Sequence, residues 1–353
     1  MGVLLFGLVI FPAQAVFTSL YIFGDGLSTT TNGPGGSLYY GKRYTNGRVW
    51  AEVLADRQGL ICESNKNWSY FGHYSRFLVT NVNNFTAPTN AETALFVVWV
   101  NNADFVDNMG IGHYTSNYLT AWTDAVNKSL TNHWKAITNL FYAKGVRTLI
   151  MPNAVDITWI PQYSGLAPAE KNFVRQRVVD FNIAFKAILN QARVTLPGLT
   201  IHEPDVFTLL DDVVANSDSY GLTNALFNGH TIGAVCPDPT LRDFSLNGPG
   251  ARYIFWDWWH PTAKLHAHVA DYIQQSIWPV RVNNIIPLDN SNRLEMVNIP
   301  VGRDGCVECT TNFADWLPAE DFDSTNSTQS ICVPASGPEQ FYRLRFPFSW
   351  TWP

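Results

Sequence analysis

As far as Trp278, apolar residues follow two alternating patterns: short unbroken runs, and longer stretches with a period near 3.6. Ser19 to Gly24 is a short run ending in a glycine turn. Leu95-Phe96-Val97-Val98-Trp99-Val100, within Ala94 to Val100, is the unbroken kind that a strand buried on both faces requires. Val146 to Met151 and Thr200 to Glu203 are two more. Between these runs, Trp122, Val126, Leu130, Trp134, Ile137 and Leu140 predict a helix over 120–142. Phe173, Val178, Phe181, Phe185, Ile188 and Leu189 predict another over 169–196, stopped by Pro197-Gly198. Strand and helix alternating in this order predict an α/β fold, a three-layer α/β/α arrangement around a parallel sheet.

The pattern changes after Pro279. Leu294 to Ile299, Gln329 to Val333 and Phe341 to Phe346 are short β-like runs between Asn, Asp, Gly and Ser clusters, with no helical period. They predict a small all-β, sandwich-like C-terminal module over 285–353, with Trp316, Phe341, Tyr342 and Leu344 in its core. Asn283-Asn284 is the expected linker from an α/β domain over 16–280. At the other end, Val3 to Phe11 is apolar and Ala13-Gln14-Ala15 has the small-x-small form of a signal-peptidase site. Residues 1–15 therefore read as a signal peptide, and the protein as secreted. A buried first strand is the competing account, and no basic residue precedes the run. No other segment holds the roughly 18 uninterrupted apolar residues of a transmembrane anchor.

Composition narrows the partners. Of 353 residues, 46% are apolar and 14% aromatic, enough to build cores and exclude global disorder. The 23 basic and 29 acidic side chains give a net charge of −6, with no basic block. Nucleic acid is not an expected partner, because phosphate binding needs a basic surface. Five cysteines are too few for a disulfide scaffold in a chain of this length, and their odd number leaves at least one thiol unpaired. Cys306-Val307-Glu308-Cys309 has C-x-x-C spacing without the second pair a zinc site needs. A local disulfide or plain buried thiols fit it.

Two segments carry the chemistry. Phe23-Gly24-Asp25-Gly26-Leu27-Ser28 follows the first strand. Phe255-Trp256-Asp257-Trp258-Trp259-His260-Pro261-Thr262 precedes a helix beginning near Ala263. An Asp three residues before a His can orient the imidazole through Nδ1 and leave Nε2 free as a general base. With these and further blocks in order, the chain resembles the SGNH, or GDSL-type, hydrolases from about Leu20 to Trp278. F-G-D-G-L-S resembles F-G-D-S-L-S. The stretch from Gly41 to Trp50 is similar to G-R-F-S-N-G-x-V-W, and Asn67 to Gly72 occupies the block of the oxyanion glycine. Trp99 to Asp104 falls where G-x-N-D is expected. Asp218 to Asn224, with Cys236, looks like P-x-x-Y-G-F-x-N…C, and F-W-D-W-W-H-P-T is close to F-W-D-x-x-H-P-T.

The resemblance implies a flavodoxin-like three-layer fold and a carboxylic-ester hydrolase of the serine-esterase type. Its substrates would be acyl or acetyl esters of small molecules, lipids or glycans. Transferred by position, His260 is the base, Asp257 its orienting acid and Gly72 the oxyanion glycine. The nucleophile position is Gly26, which has no side chain, and the oxyanion asparagine position is Ala103. Asn101 and Asn102 stand just before it, and Asn102, with the backbone at Gly26 and Gly72, is the expected oxyanion donor.

Three readings follow. Ser28 supplies a shifted nucleophile, against its alternative as a helix N-cap. Gly26 silences an ordinary esterase. Or the scaffold binds a ligand, or activates water directly through His260 and Asp257. Asp25, His73, Asp104 and His260 are metal-type residues without a ligand spacing, and the two Asp residues are expected to hold loops. Neither metal nor cofactor is expected. His266 and His268 read as a solvated helix face, Trp256, Trp258 and Trp259 as cleft or packing, and Asn81 to Asn84 as loop.

Overall fold

A computed structural model describes residues 17–223, 235–236, 238–243, 248–299, 304–326, 328–335 and 340–345. The expected signal peptide lies outside them, as does Asn224. Four parallel strands form the first sheet in the order β1 (Leu20–Gly24), β2 (Leu95–Trp99), β3 (Thr148–Ile150) and β4 (Thr200–His202). Every residue of β1 and β2 is buried, as unbroken apolar runs demand when both faces are covered. Beyond β1, Asn67 makes an isolated parallel pairing with Ile22, and Trp68 N–H donates to the Ile22 carbonyl at 2.8 Å. The chain thus leaves β1, visits the sheet on one side and returns to β2 on the other. That reversal opens a crevice at the carboxyl ends of β1 and β2.

Helices cover the sheet in two groups. α1 (Trp50–Arg57) packs against α7 (Ala263–Ile277). α2 (Ser75–Asn84), α3 (Asn101–Gly110) and α5 (Pro168–Thr195) pack against α4 (Leu119–Tyr142). α4 and α5 sit within a residue or so of their expected spans. Asn81 to Asn84, expected as loop, is the last turn of α2. α6 (Val206–Ala215) follows β4 and begins at Asp205, whose side chain accepts from Thr208 N–H. The main core is aromatic near β1: Tyr21 stacks on Phe96 at 4.7 Å and Phe23 on Trp68 at 5.1 Å.

After Pro279 the chain is all antiparallel. β5 (Arg281–Pro287), β6 (Ser291–Val297) and β9 (Thr328–Pro334) form one sheet. β7 (Asp304–Thr310), β8 (Leu317–Asp323) and β10 (Phe341–Arg345) form another. The expected linker Asn283-Asn284 instead lies inside β5, at an irregularity in its pairing with β6. The core also differs from expectation. Leu294, Met296, Ile299, Val307, Phe322 and Val333 fill it, with Tyr342 and Leu344 against its edge. Phe341 is exposed and Trp316 lies half-buried under the Arg343 guanidinium. Alternation explains this: along β10, every second side chain faces away from the core. All five cysteines are free thiols, so Cys306 and Cys309 form no local disulfide.

Phe96 is fully buried in the middle of β2, ringed by Tyr21 and Phe85. Phe96→Ala should lower unfolding free energy by about 3–5 kcal/mol in urea titration, the cost of an emptied aromatic site.

Candidate active site

β1 delivers the chain to a turn that Asp25 builds. Asp25 N–H continues the ladder to the Trp99 carbonyl at 3.2 Å, and Asp25 Oδ1 accepts from Leu27 N–H at 3.0 Å. Burial pushes the Asp25 carboxyl up to about 6, although the Leu27 hydrogen bond and His260 oppose it. Gly26 sits at the apex with a φ outside the left-handed region. A Cβ built there would stand 2.7 Å from His260 Nε2. Gly26 and the imidazole therefore face each other directly, and the ring occupies part of the room a side chain would need.

His260 is held from behind. Asp257 Oδ1 accepts from the backbone N–H groups of Trp259 and His260, both at 2.7 Å. His260 Nδ1 lies 2.9 Å from both carboxylate oxygens, and Tyr39 donates its hydroxyl to Oδ2 at 3.0 Å. Burial alone would raise the Asp257 carboxyl. The charge and hydrogen bond of His260, with the two backbone N–H groups, outweigh it and hold Asp257 below the usual carboxylate value. Nδ1–H thus donates to Asp257, and Nε2 carries the lone pair toward the cleft. Tyr44 stacks on the imidazole with centroids 4.3 Å apart and fixes the ring plane. Tyr44 lies within the Gly41–Trp50 block, whose pattern does not reveal a contact with His260, and Tyr39 stands outside every block.

The cleft has a volume of about 390 Å³. Gly26, Gly72, Asn102, Ala103 and His260 lie together in its wall, and Asp257 stands behind His260. Apolar side chains dominate the rest, among them Val155, Ile157 and Leu210; Phe71 and Ile111 are exposed at the rim. Arg175 ties the far wall together, reaching Asp156 at 2.5 Å and Asp211 at 2.8 Å. Asn101 is committed elsewhere, donating Nδ2–H to the Pro152 carbonyl at 2.9 Å. Asn102 accepts from Val155 N–H through Oδ1 at 3.0 Å, while its Nδ2 is buried without a hydrogen-bond partner. A buried amide donor left unpaired costs about 1–3 kcal/mol.

Other expected residues stand elsewhere. Ser28 is fully buried and outside the cleft wall, with Oγ accepting from Trp50 Nε1–H at 3.0 Å. No helix begins there, so it is not an N-cap either: it serves a buried indole. His73 pins the β1 terminus, with Nδ1 2.7 Å from the Gly24 carbonyl and Nε2 3.0 Å from Asn81 Nδ2. Burial lowers it to about 4. Asp104 Oδ1 accepts from Ser75 N–H at 3.0 Å, and no cluster among the described residues is arranged to hold a metal ion. His266 and His268, expected on a solvated face, are both buried. His266 lines the cleft, and burial pushes it down to about 3. α7 is sandwiched between α1 and α6, so neither flank of it is free. Trp259 lines the cleft, whereas Trp256 is packing, its Nε1–H donating to the Leu38 carbonyl at 2.8 Å.

Residues 20–273 match the family model described as GDSL-like Lipase/Acylhydrolase. A GDSL esterase/lipase of Arabidopsis thaliana is 22% identical over 316 residues, spanning 72% of this chain and 85% of that protein. Acetylajmalan esterase 2 of Rauvolfia serpentina is 25% identical over 213 residues, 54% of this chain and 56% of that one. Among solved structures, the lipase Lip_vut3 from a goat rumen metagenome aligns with a TM-score of 0.43 at 10% identity, covering 73% of this chain and 97% of that one.

Two predictions follow from this geometry. Ser28→Ala removes the acceptor of a buried indole N–H and should cost about 1–3 kcal/mol in urea unfolding. The buried histidines make stability fall in acid. The unfolded chain takes up protons near pH 6.5, but folded His73 and His266 resist until about pH 4 and about pH 3. Their contribution is complete above pH 6.5 and is lost as pH falls through that window. Asp25 acts in the opposite sense between pH 6 and 3.8. His266→Phe should therefore shrink the stability lost between pH 7 and pH 5 by about 2 kcal/mol.

Proposed function

Because the chain belongs to the GDSL-like lipase/acylhydrolase family, we propose that it is a secreted carboxylic-ester hydrolase whose His260–Asp257 pair activates water in place of a serine. The observation that carries this reading is the His260 Nε2 that faces Gly26 from a cleft wall shared with the unpaired Asn102 amide. Nε2 takes a proton from a water as its oxygen attacks the ester carbonyl. The N–H groups of Gly26 and Gly72 and the Asn102 amide receive the oxyanion. The tetrahedral intermediate collapses, the imidazolium returns its proton to the departing alkoxide, and acid and alcohol leave. Asp257 stays ionised throughout and stabilises the imidazolium. The apolar cleft suits the acyl side of an ester of lipid, glycan or small molecule.

The secreted location rests on the Val3–Phe11 run and Ala13-Gln14-Ala15. No helix among the described residues is long and apolar enough to cross a membrane. The C-terminal β-module, separate in its core, is proposed as a second folding unit outside the chemistry. The missing hydroxyl at Gly26 favours one other reading, a scaffold that binds the ester or acyl group without turning it over.

Turnover of p-nitrophenyl acetate and butyrate separates the readings. The parent should hydrolyse both without being labelled by a fluorophosphonate, since no serine is acylated. His260→Ala should lose about 10²–10⁴-fold in kcat, and Asn102→Ala about 10²–10³-fold. Gly26→Ser should become labelled once the imidazole withdraws by a few tenths of an ångström. Labelling of the parent at Ser28 would replace water with a shifted nucleophile. Absence of turnover in every folded variant would leave the binding role.

A further inference from the structure

Asparagine followed by any residue but proline and then Ser or Thr is the acceptor pattern for N-linked glycans. It occurs at Asn67-Trp68-Ser69, Asn84-Phe85-Thr86, Asn127-Lys128-Ser129 and Asn326-Ser327-Thr328. The structure separates these positions. Asn67 is buried, and its Nδ2 donates to the Ser28 carbonyl at 2.9 Å and to Thr30 Oγ1 at 3.2 Å. It is locked into the turn beneath the cleft and has no room for a sugar. Asn127 lies in the middle of α4, where the hydroxyl of its partner Ser129 is fully buried beside His133. Asn326 is exposed, and Ser327 lies outside the described residues.

Asn84 is different. It is the exposed last residue of α2, and Thr86 is exposed in the segment after it. Asn84 and Thr86 themselves border a surface groove of about 440 Å³ beside β1. Trp68, Phe85 and Pro88 give that groove apolar faces, and Asn65 and Lys66 give it polar ends. Flat rings with amide and ammonium groups at their margins fit a sugar, whose C–H face stacks while its hydroxyls hydrogen-bond. This groove is separate from the cleft: none of its lining residues belongs to it.

We propose that Asn84 carries an N-linked glycan whose first sugar lies in the groove against Trp68. The inference rests on the reading of the protein as secreted, and is independent of its catalysis. The Asn84 amide nitrogen attacks C1 of the reducing sugar of a lipid-diphosphate oligosaccharide. A C–N bond forms, the C–O bond to the diphosphate breaks, and the amide proton is lost.

The test is expression of the full chain behind a cleavable secretory leader in a eukaryotic host, so that export does not depend on residues 1–15. Peptide N-glycosidase in ¹⁸O water converts each glycosylated Asn to labelled Asp, read by peptide mass. Label at Asn84 and none at Asn67 is expected, with the Asn84 glycan lost in both Asn84→Gln and Thr86→Ala. Exported protein with unmodified Asn84 overturns the proposal. Trimming to a single N-acetylglucosamine should leave Tm unchanged, and complete removal should lower it by about 2 °C. Equal Tm values would refute the packing on Trp68 while leaving the modification in place. Export that succeeds only with the supplied leader would count against the signal peptide and not against Asn84.

Discussion

The buried carboxylate of Asp257 is the interaction on which the cleft depends. Two backbone N–H groups, the imidazole Nδ1–H and the Tyr39 hydroxyl converge on it. A carboxylate this deep stays charged only when its lone pairs are filled by such donors. Two of these donors belong to its own turn, so the 257–260 segment is held largely by local hydrogen bonds. Trp256 N–H then closes the turn on the His260 carbonyl at 2.8 Å. The turn hands over to α7, capped by Thr262 Oγ1 and by Asn46 Oδ1, which accepts from Ala263 N–H at 2.8 Å. That last bond ties the block around residues 41–50 to the histidine, so that Tyr44 comes to lie on the ring.

The sheet supplies the opposite wall by topology. β1 and β2 end side by side, and the turn after β1 with Gly26 and the first turn of α3 with Asn102 diverge around the crevice where the strand order reverses. His73 braces this arrangement through the Gly24 carbonyl, which gives a buried histidine its hydrogen-bond partner. The apolar character of the remaining wall makes each polar group in it electrostatically strong. Asp25 titrating near 6 and His266 near 3 are two consequences of the same low polarity.

The strands and the two long helices were legible because burial on both faces, or on one stripe, leaves an unambiguous period. α4 begins at Leu119 and α5 at Pro168, close to where the apolar spacing begins. Asp257 and His260 were legible as a pair because i,i+3 spacing on a turn brings the side chains together. What the sequence left open was partner choice. Ser28 reads as a cap by default and as a nucleophile in second place until Trp50, 22 positions away, is seen to use its oxygen. Asn101 and Asn102 are identical in type and adjacent. Only the fold separates them: the Pro152 carbonyl occupies the Asn101 amide, and Asn102 lines the cleft. His266 and His268 read as solvated because an amphipathic pattern cannot register that α7 is covered on two sides.

Gly26 is not demanded by its backbone, since its φ is one that any residue adopts. Nor has the turn collapsed around it. Asp25 still bonds Leu27, and the ladder to Trp99 still closes. The imidazole tip stands 2.7 Å from where a Cβ at this position would lie. A scaffold that had merely lost a side chain would keep the ring at hydrogen-bonding distance from a vanished hydroxyl and leave a hole. Here the ring fills part of that space, while the Asn102 amide remains unpaired at a cost of about 1–3 kcal/mol. An imidazole nitrogen against a bare backbone, in a wall that also carries Asn102, is the geometry on which the proposed attack by water rests.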